Sequence, residues 1–432
     1  MKKLLALVLA LAMALALVAC GGGNASTPGS NPPASTPAGD ASTPDEGGDA
    51  APAADLKVGC ILVGDENEGY TYAHIKGIEE AIAATGVPAE NVIMKYSVPE
   101  DEKCQDAAID LVEQGCTLIL SNSYGHQSHM QQVASEYPEV TFVACTGDTA
   151  NQSGLSNFKN AFTGIYEARY VSGVVAGMKV AELVADGKLT DANYDADGKV
   201  KIGYVGAYPY AEVVSGYTAF FLGIQSVVEN VVMDVTYTNS WFDITAEAEA
   251  ANALMSSGCV VIGQHADSTG APSAVQAAQD AGKVAYSIGY NVDMLAVAPT
   301  AALTSATNVW EVYYEYAMKT VINGEKIARN WAAGYAEGAV AITALGESCA
   351  EGTAEKVEET IAALQDGSLK VFDTSKFTVG GETVTSTFAT DTDGDFVYDT
   401  DEAIIDGAYC ESYYQSAPSF SLRIDGINEL LN

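Results

Sequence analysis

From residue 57 onward, short β-branched and apolar runs alternate with longer stretches whose apolar positions recur every three to four residues. This pattern predicts strands near 57–63, 91–97, 117–121 and 140–145, separated by helices near 73–85, 102–114 and 126–136. The order then returns, with strands near 200–205, 231–238, 259–263 and 283–289 and helices near 211–229, 244–257 and 270–281. Such alternation reads as βαβ units, because parallel strands need a crossover long enough to hold a helix. The segments AIDLVEQGCTLIL (108–120) and AANALMSSGCVVIG (250–263) both run helix, glycine, cysteine, strand, with Gly115 and Gly258 where a helix ends on a left-handed residue. The recurrence predicts an α/β protein of two lobes, each a parallel sheet flanked by helices. GIYEARYVSGVVAGMKVAELVADG (164–187) is a long apolar helix with small residues, placed to pass from one lobe to the other. A return crossing is expected at ALTSATNVW (302–310), so that the lobes share a hinge.

The first 55 residues follow different rules. Lys2 and Lys3 precede an apolar run over 4–18, the layout of an export signal and too short to span a bilayer. Leu17-Val18-Ala19-Cys20 resembles the lipobox of bacterial lipoproteins, which implies that Cys20 carries lipid and begins the mature chain; the alternative is a soluble secreted protein cut after a small residue. Residues 21–55 are Gly, Ser, Thr, Pro, Ala and acid, too poor in apolar groups to fold. A coil of that length spans on the order of 30–35 Å. The expected organisation is therefore a signal peptide over 1–19, a lipid-anchored tether over 20–55 and a first lobe over 56–165. A second lobe over 166–304, a return segment over 305–345 and an extension over 346–432 with an acidic hairpin complete it.

The formal charge of −37, with only 20 Lys and Arg, excludes a phosphate-backbone binder. Besides Cys20, seven cysteines remain and none forms a CxxC pair, which argues against a thiol redox centre. Cys60, Cys145 and Cys259 lie in or beside apolar strands, as small buried side chains do. A Cys104–Cys116 or Cys349–Cys410 bridge stays open.

In open parallel sheets ligands collect beyond the carboxyl ends of the strands, where loops and helix N-termini converge. The loops at those positions are aromatic, with Tyr70, Tyr72, Tyr124, Tyr166, Tyr208, Tyr210, Trp241, Phe242, Tyr290 and Trp310. They also carry Asp65, Asn67, His74, Asn122, His265, Asp267, Asn291, Asp293 and Asn308. Flat apolar faces with a few neutral or acidic hydrogen-bonding groups suit a planar heterocycle or a sugar.

The segments GDENEGYTYAHIKGIE, NAFTGIYEARYVSGVVAG, TNSWFD, CVVIGQHAD, IGYNVDM and ALTSATNVW, in this order, resemble the basic membrane protein family of bacterial solute-binding lipoproteins. The resemblance covers about residues 57–345 and implies the two-lobed type I periplasmic-binding-protein fold. It also implies an extracytoplasmic receptor on the outer face of the cell membrane that delivers a purine nucleoside or nucleobase to the permease of an ABC importer. By the same resemblance Tyr70 takes the place of the base-stacking aromatic, with Asp65 and Asn67 beside it. Asp293, or Asn291, takes that of an aspartate contact. Asn308 stands where nucleoside binders carry a lysine, which leaves nucleoside and free base both open.

Other functions fit less well. No GxSxG, HExxH, GxxxxGK[ST] or GxGxxG occurs, so no nucleophile and base stand at catalytic spacing and an enzyme is not expected. His126 and His129, with His74 and His265, would serve zinc only if the fold gathered them. Asp391, Asp393, Asp395, Asp399 and Glu402 fall at positions 1, 3, 5, 9 and 12 of a calcium loop, but Phe396 replaces the glycine that loop needs at position 6. A solvated acidic hairpin is the expected reading there. A sensor docking on a membrane kinase needs the same anchor, cleft and closure as transport.

Overall fold

The computed structural model describes residues 52–392 and 397–430. The signal segment, Cys20 and nearly all of the tether lie outside them, as do Asp393 and Asp395. Two large sheets organise the described chain. The first has the order β11-β5-β4-β3-β1-β2 and is parallel throughout. Its strands are β1 (Val58–Ile61), β2 (Val92–Lys95), β3 (Leu118–Ser121), β4 (Thr141–Cys145), β5 (Phe158–Thr163) and β11 (Asn330–Ala333). The second has the order β12-β10-β9-β8-β6-β7-β17. Its strands are β6 (Val200–Gly206), β7 (Val231–Tyr237), β8 (Val261–Gln264), β9 (Tyr286–Tyr290), β10 (Ala302–Asn308), β12 (Val340–Ile342) and β17 (Ile427–Leu430). Only β12 runs antiparallel to its neighbour.

The near-continuous apolar runs follow from burial on both faces. On β3, Leu118 and Leu120 point to one side and pack with α1 (Gly69–Thr85) and α8 (Trp310–Ile322), through Ile75, Ile78, Trp310 and Tyr313. Ile119, between them, points to the other side, toward Leu111 of α2 (Glu102–Glu113) and Met130 and Val133 of α3 (Gln127–Glu136). The second sheet is built alike, with α4 (Ile165–Ala185) and α5 (Ala211–Gln225) on one face and α6 (Ile244–Ser256) and α7 (Gly270–Asp280) on the other. Gly115 and Gly258 both have positive φ, +87° and +107°, as the two helix ends require.

The small residues of α4 serve packing. A Cβ on Gly173 would stand 2.1 Å from the Phe220 carbonyl oxygen, and one on Gly223 would stand 2.1 Å from that of Tyr170. Two glycines thus let α4 and α5 approach backbone to backbone.

Three segments pass between the sheets, one more than the hydrophobic pattern predicts. They are β5 to α4 through Gly164, β10 to α8 through Val309, and β11 to β12 across residues 334–339. They lie side by side: Gly164 N donates to Ala333 O at 2.6 Å and Val309 N to Ala339 O at 2.8 Å. β5 escapes the pattern because Lys159 and Asn160 interrupt it, yet Asn160 is buried, accepting from Ala150 N at 2.6 Å and donating to Ala144 O at 3.3 Å.

The extension packs on the second lobe and also reaches the first. α9 (Thr353–Gln365) lies on α4, Phe420 stacks on Phe372 at 4.2 Å, and β17 adds to the edge of β7. Toward the first lobe, Asn151 donates to Tyr414 O at 2.8 Å and Ser416 Oγ to Gly147 O at 3.3 Å. β13 (Phe388–Thr390) and β14 (Thr400–Glu402) form an antiparallel hairpin, followed by the small pair β15 (Ile404–Ile405) and β16 (Ala408–Tyr409). Asp399 accepts from Thr392 N at 3.2 Å and Glu402 from Thr387 N at 3.0 Å, so both carboxylates brace their own hairpin. The seven described cysteines are free thiols, five of them buried, Cys104 and Cys116 included.

Candidate functional site

The loop that follows β1 is built around its own acids. Glu68 caps α1, accepting from Tyr70 N and Thr71 N at 2.9 Å each. Asp65 accepts from both the backbone and the side-chain nitrogen of Asn67 at 2.9 Å. Asn122, after β3, ties the loop down by accepting from Val63 N at 2.8 Å, while its carbonyl receives the Tyr70 hydroxyl at 2.5 Å. These contacts hold the Tyr70 ring in the wall of a cavity of about 370 Å³.

The first lobe lines that cavity with Asp65, Asn67, Glu68, Tyr70, Glu100, Tyr124 and Thr146. The second lobe supplies Glu212, Trp241, Phe242, Asp267 and Tyr290. The lobes are closed on each other: Gly69 leaves only enough room for Val292, whose methyl would lie 3.3 Å from a Cβ there, and the Tyr124 and Tyr210 rings are 6.5 Å apart. A smaller hollow of about 230 Å³ continues past Asn67 and Asp267 toward Tyr72, Ile244 and Met294.

On the second lobe the backbone of Asp267 donates to Trp241 O at 2.7 Å, which joins the loops after β7 and β8. The Asp267 carboxyl accepts from Asn291 Nδ2 at 2.7 Å, and Asn291 Oδ1 accepts from Asn308 Nδ2 at 3.0 Å. Asn308 also meets Thr163 Oγ1 across the crossing, so a chain of side chains runs from cleft to hinge. Burial pushes the Asp267 carboxyl well above the ordinary range, with the charges of Glu68, Glu247 and Glu212 adding to the effect. Beneath the cleft floor the Arg169 guanidinium lies 3.7 Å from the Tyr290 ring centroid, and Nη1 donates to Gln264 O at 2.5 Å. His265 approaches Glu212 at 3.2 Å, and burial together with the Arg169 charge lowers its pKa to about 4, so it is neutral at physiological pH.

Residues 57–370 match the family model described as ABC transporter substrate-binding protein, PnrA-like. The chain belongs to that family. A purine-binding protein of Brucella abortus is 33% identical over 328 residues, 76% of this chain and 85% of that one. A Haloferax volcanii protein named as an ABC transporter glucose-binding protein is 31% identical over 260 residues, 60% of each chain. Among solved structures, an ABC transporter solute-binding protein of Aeropyrum pernix superposes with a TM-score of 0.60 at 17% identity, covering 79% of this chain and 95% of that one. One from Conexibacter woesei gives 0.57 at 19%, covering 73% and 98%. These two share the fold, the type I periplasmic-binding-protein arrangement. As a PnrA-like substrate-binding protein, the chain is a receptor and not an enzyme.

Of the residues singled out from the sequence, the PnrA-like cleft gathers Asp65, Asn67, Tyr70, Tyr124, Trp241, Asp267 and Tyr290. Tyr208 stands just behind Trp241, edge-on at 5.4 Å, and Tyr72 lines the smaller hollow. Asn291, Asn308 and His265 are buried behind the wall. Four expectations are corrected. His74 and Trp310 are core side chains, stacked on each other at 4.2 Å, with His74 also bonded to Tyr314 Oη at 2.7 Å, because α1 and α8 face each other there. Tyr166 stacks on Phe372 at 5.3 Å beneath the extension. Asp293 is exposed and holds its own turn by accepting from Leu295 N at 2.8 Å, while Asp267 occupies the cleft. Among the described residues no three His, Cys, Asp or Glu side chains gather as a metal set.

Glu68, Glu100, Glu212 and Arg169 were not singled out from the sequence. Glu68 is legible as a cap before an apolar periodicity and Glu212 as an acid in the first turn of α5. Glu100, which accepts from Ser123 Oγ at 2.5 Å and Gly125 N at 2.9 Å, has no local signature.

Two carboxyls near α4 make stability pH-dependent. Burial raises Glu411 to about 8, with a hydrogen bond from Ser215 opposing and the charges of Glu212 and Glu167 adding. Burial likewise raises Glu167 to about 7 against a hydrogen bond from the Tyr335 backbone, with Glu337 adding. Both bind their protons more tightly folded than unfolded, where a glutamate titrates near about 4.3. Their contribution is therefore complete below that value and is lost as pH rises through about 7 to 8. The melting temperature is expected to fall between pH 6 and 9, and less so in Glu167→Gln/Glu411→Gln. An equal fall in both proteins contradicts this.

Proposed function

We propose that the chain is the extracytoplasmic, Cys20-anchored receptor of an ABC importer, and that its cleft binds a purine nucleoside or nucleobase and delivers it to the permease. The observation that carries this reading is the set of aromatic faces from both lobes, Tyr70 and Tyr124 on one side and Trp241, Phe242 and Tyr290 on the other, around one cavity. Rings stack on such faces whatever their edge pattern, and the polar groups beside them choose among rings. Asn67 offers donor and acceptor, and Asp267 offers carboxyl oxygens. A solute that touches both lobes stabilises the closed state alone, and that state is what a permease distinguishes. The purine-binding relative at 33% identity supports the ligand class. No helix among the described residues is long and apolar enough to cross a membrane.

Native mass spectrometry of protein purified without denaturant, followed by calorimetric titration with hypoxanthine, adenine, adenosine and guanosine, tests the reading. Saturable binding of one of them at one site per chain is expected. Binding of glucose with no response to any purine overturns it.

A further inference from the structure

The charges around the cavity carry a further step, which rests on the cleft being the solute site. Five carboxylic side chains line it, Asp65, Glu68, Glu100, Glu212 and Asp267, and no Lys, Arg or His does so among the described residues. They come from both lobes, so closure brings them together around the solute. Their protein partners are donors: Tyr70 N and Thr71 N for Glu68, Ser123 and Gly125 N for Glu100, Asn291 for Asp267. A buried cation, Arg169, 1% exposed, lies behind the wall, with the Tyr290 ring against its guanidinium at 3.7 Å. Tyr290 lines the cavity and Arg169 does not.

We infer that this cleft is built to exclude anionic solutes, so that it takes a neutral or cationic ring and rejects the same molecule bearing a phosphate, with Glu100 and Glu212 as the residues that set the discrimination. A phosphate entering the closed cleft loses its hydration without gaining a cation, and like charges brought together in a desolvated site oppose binding strongly. The whole chain acts in the same direction, since a formal charge of −37 slows the approach of any anion. Arg169 does not reverse the sign: it stays behind the Tyr290 ring, bonded to the Gln264 carbonyl, and does not line the cavity. Donor-rich edges, such as ring N–H and exocyclic amino groups, gain most from the acceptors that remain.

The test is a thermal-shift and calorimetric comparison of matched pairs at one ionic strength: adenosine with adenosine 5′-monophosphate, guanosine with guanosine 5′-monophosphate, hypoxanthine with urate, and glucose with glucose 6-phosphate. In whichever pair binds, the uncharged member is expected to bind at least about 100-fold more tightly than its anionic partner. In Glu100→Gln/Glu212→Gln that ratio is expected to narrow by about tenfold or more. Asp65→Asn, in a loop exposed to solvent, provides a second reading of the same ratio should the double variant fold poorly. An anion that binds within tenfold of its neutral partner, or a ratio that none of these substitutions changes, overturns the inference. If only the glucose pair responds and the phosphate is rejected, the purine reading fails while charge exclusion stands; if no pair responds, both fail.

Discussion

Trp241→Ala is expected to weaken solute binding by tenfold to a hundredfold, and Tyr70→Ala by a similar factor. Loss of one stacking face costs roughly 1–3 kcal/mol in proteins that bind bases by stacking, which corresponds to that range. Both rings line the cavity and come from opposite lobes, so each deletion removes one of the surfaces that a closed cleft presses on the solute. Trp241 leans edge-on against Tyr208 at 5.4 Å and Tyr70 holds the Asn122 carbonyl, so neither is a free surface group. The decisive measurement is therefore the increase in melting temperature on adding saturating solute, compared with each variant's own ligand-free value. That increase is expected to shrink sharply in both variants. If a purine raises it in both as it does in the parent, the aromatic walls are not the binding surface.

The largest effect on stability is expected away from the cleft, at Gly173→Val. A Cβ at that position meets the Phe220 carbonyl oxygen at 2.1 Å, a distance that no side chain movement relieves because the obstacle is backbone. α4 and α5 must separate, and the cost spreads to the core around Phe220, Phe221 and Tyr217. Overpacking of this kind costs about 3 kcal/mol or more. For a lobe of this size that lowers the melting temperature by about 6–12 °C. Val184→Ala, on the exposed side of the same helix, is the control and is expected to change it by about a degree. Equal melting temperatures for Gly173→Val and the parent contradict the close approach of the two helices.

The route from cleft to hinge explains why several polar residues near the solute site are buried behind it. Asp267 engages Asn291, Asn291 engages Asn308, and Asn308 meets Thr163 on the other side of the crossing. Asn291 adopts φ +62°, a conformation that asparagine tolerates better than most residues and that turns its amide back toward Asp267. Asn308, which stands where nucleoside binders of the family carry a lysine, is thereby committed to the hinge.

Apart from β5, the strand and helix order of residues 57–290 was legible in the sequence because each element repeats its apolar residues with its own period, and because two glycines end equivalent helices at 115 and 258. The aromatic and acidic loops after β1, β7, β8 and β9 were legible too, since the carboxyl ends of parallel strands converge wherever such a sheet forms. Family membership was readable from six segments in order. Only the tertiary structure decided how far along α1 the solute wall reaches: Tyr70 at its N-terminal end lines the cavity, while His74, one turn further on the same face and 4.6 Å from the Tyr70 ring, is in the core. It alone kept Asp267 in the cleft and left Asp293 outside it, supplied the third crossing at 334–339, and sent the extension across both lobes. Short strands such as β11 and β12 carry too few residues to show a period, and their pairing is chosen by partners more than a hundred residues away for β11 and more than thirty for β12. Periodicity is a property of neighbours along the chain, whereas the cleft is made by loops that meet only after both lobes have folded and closed.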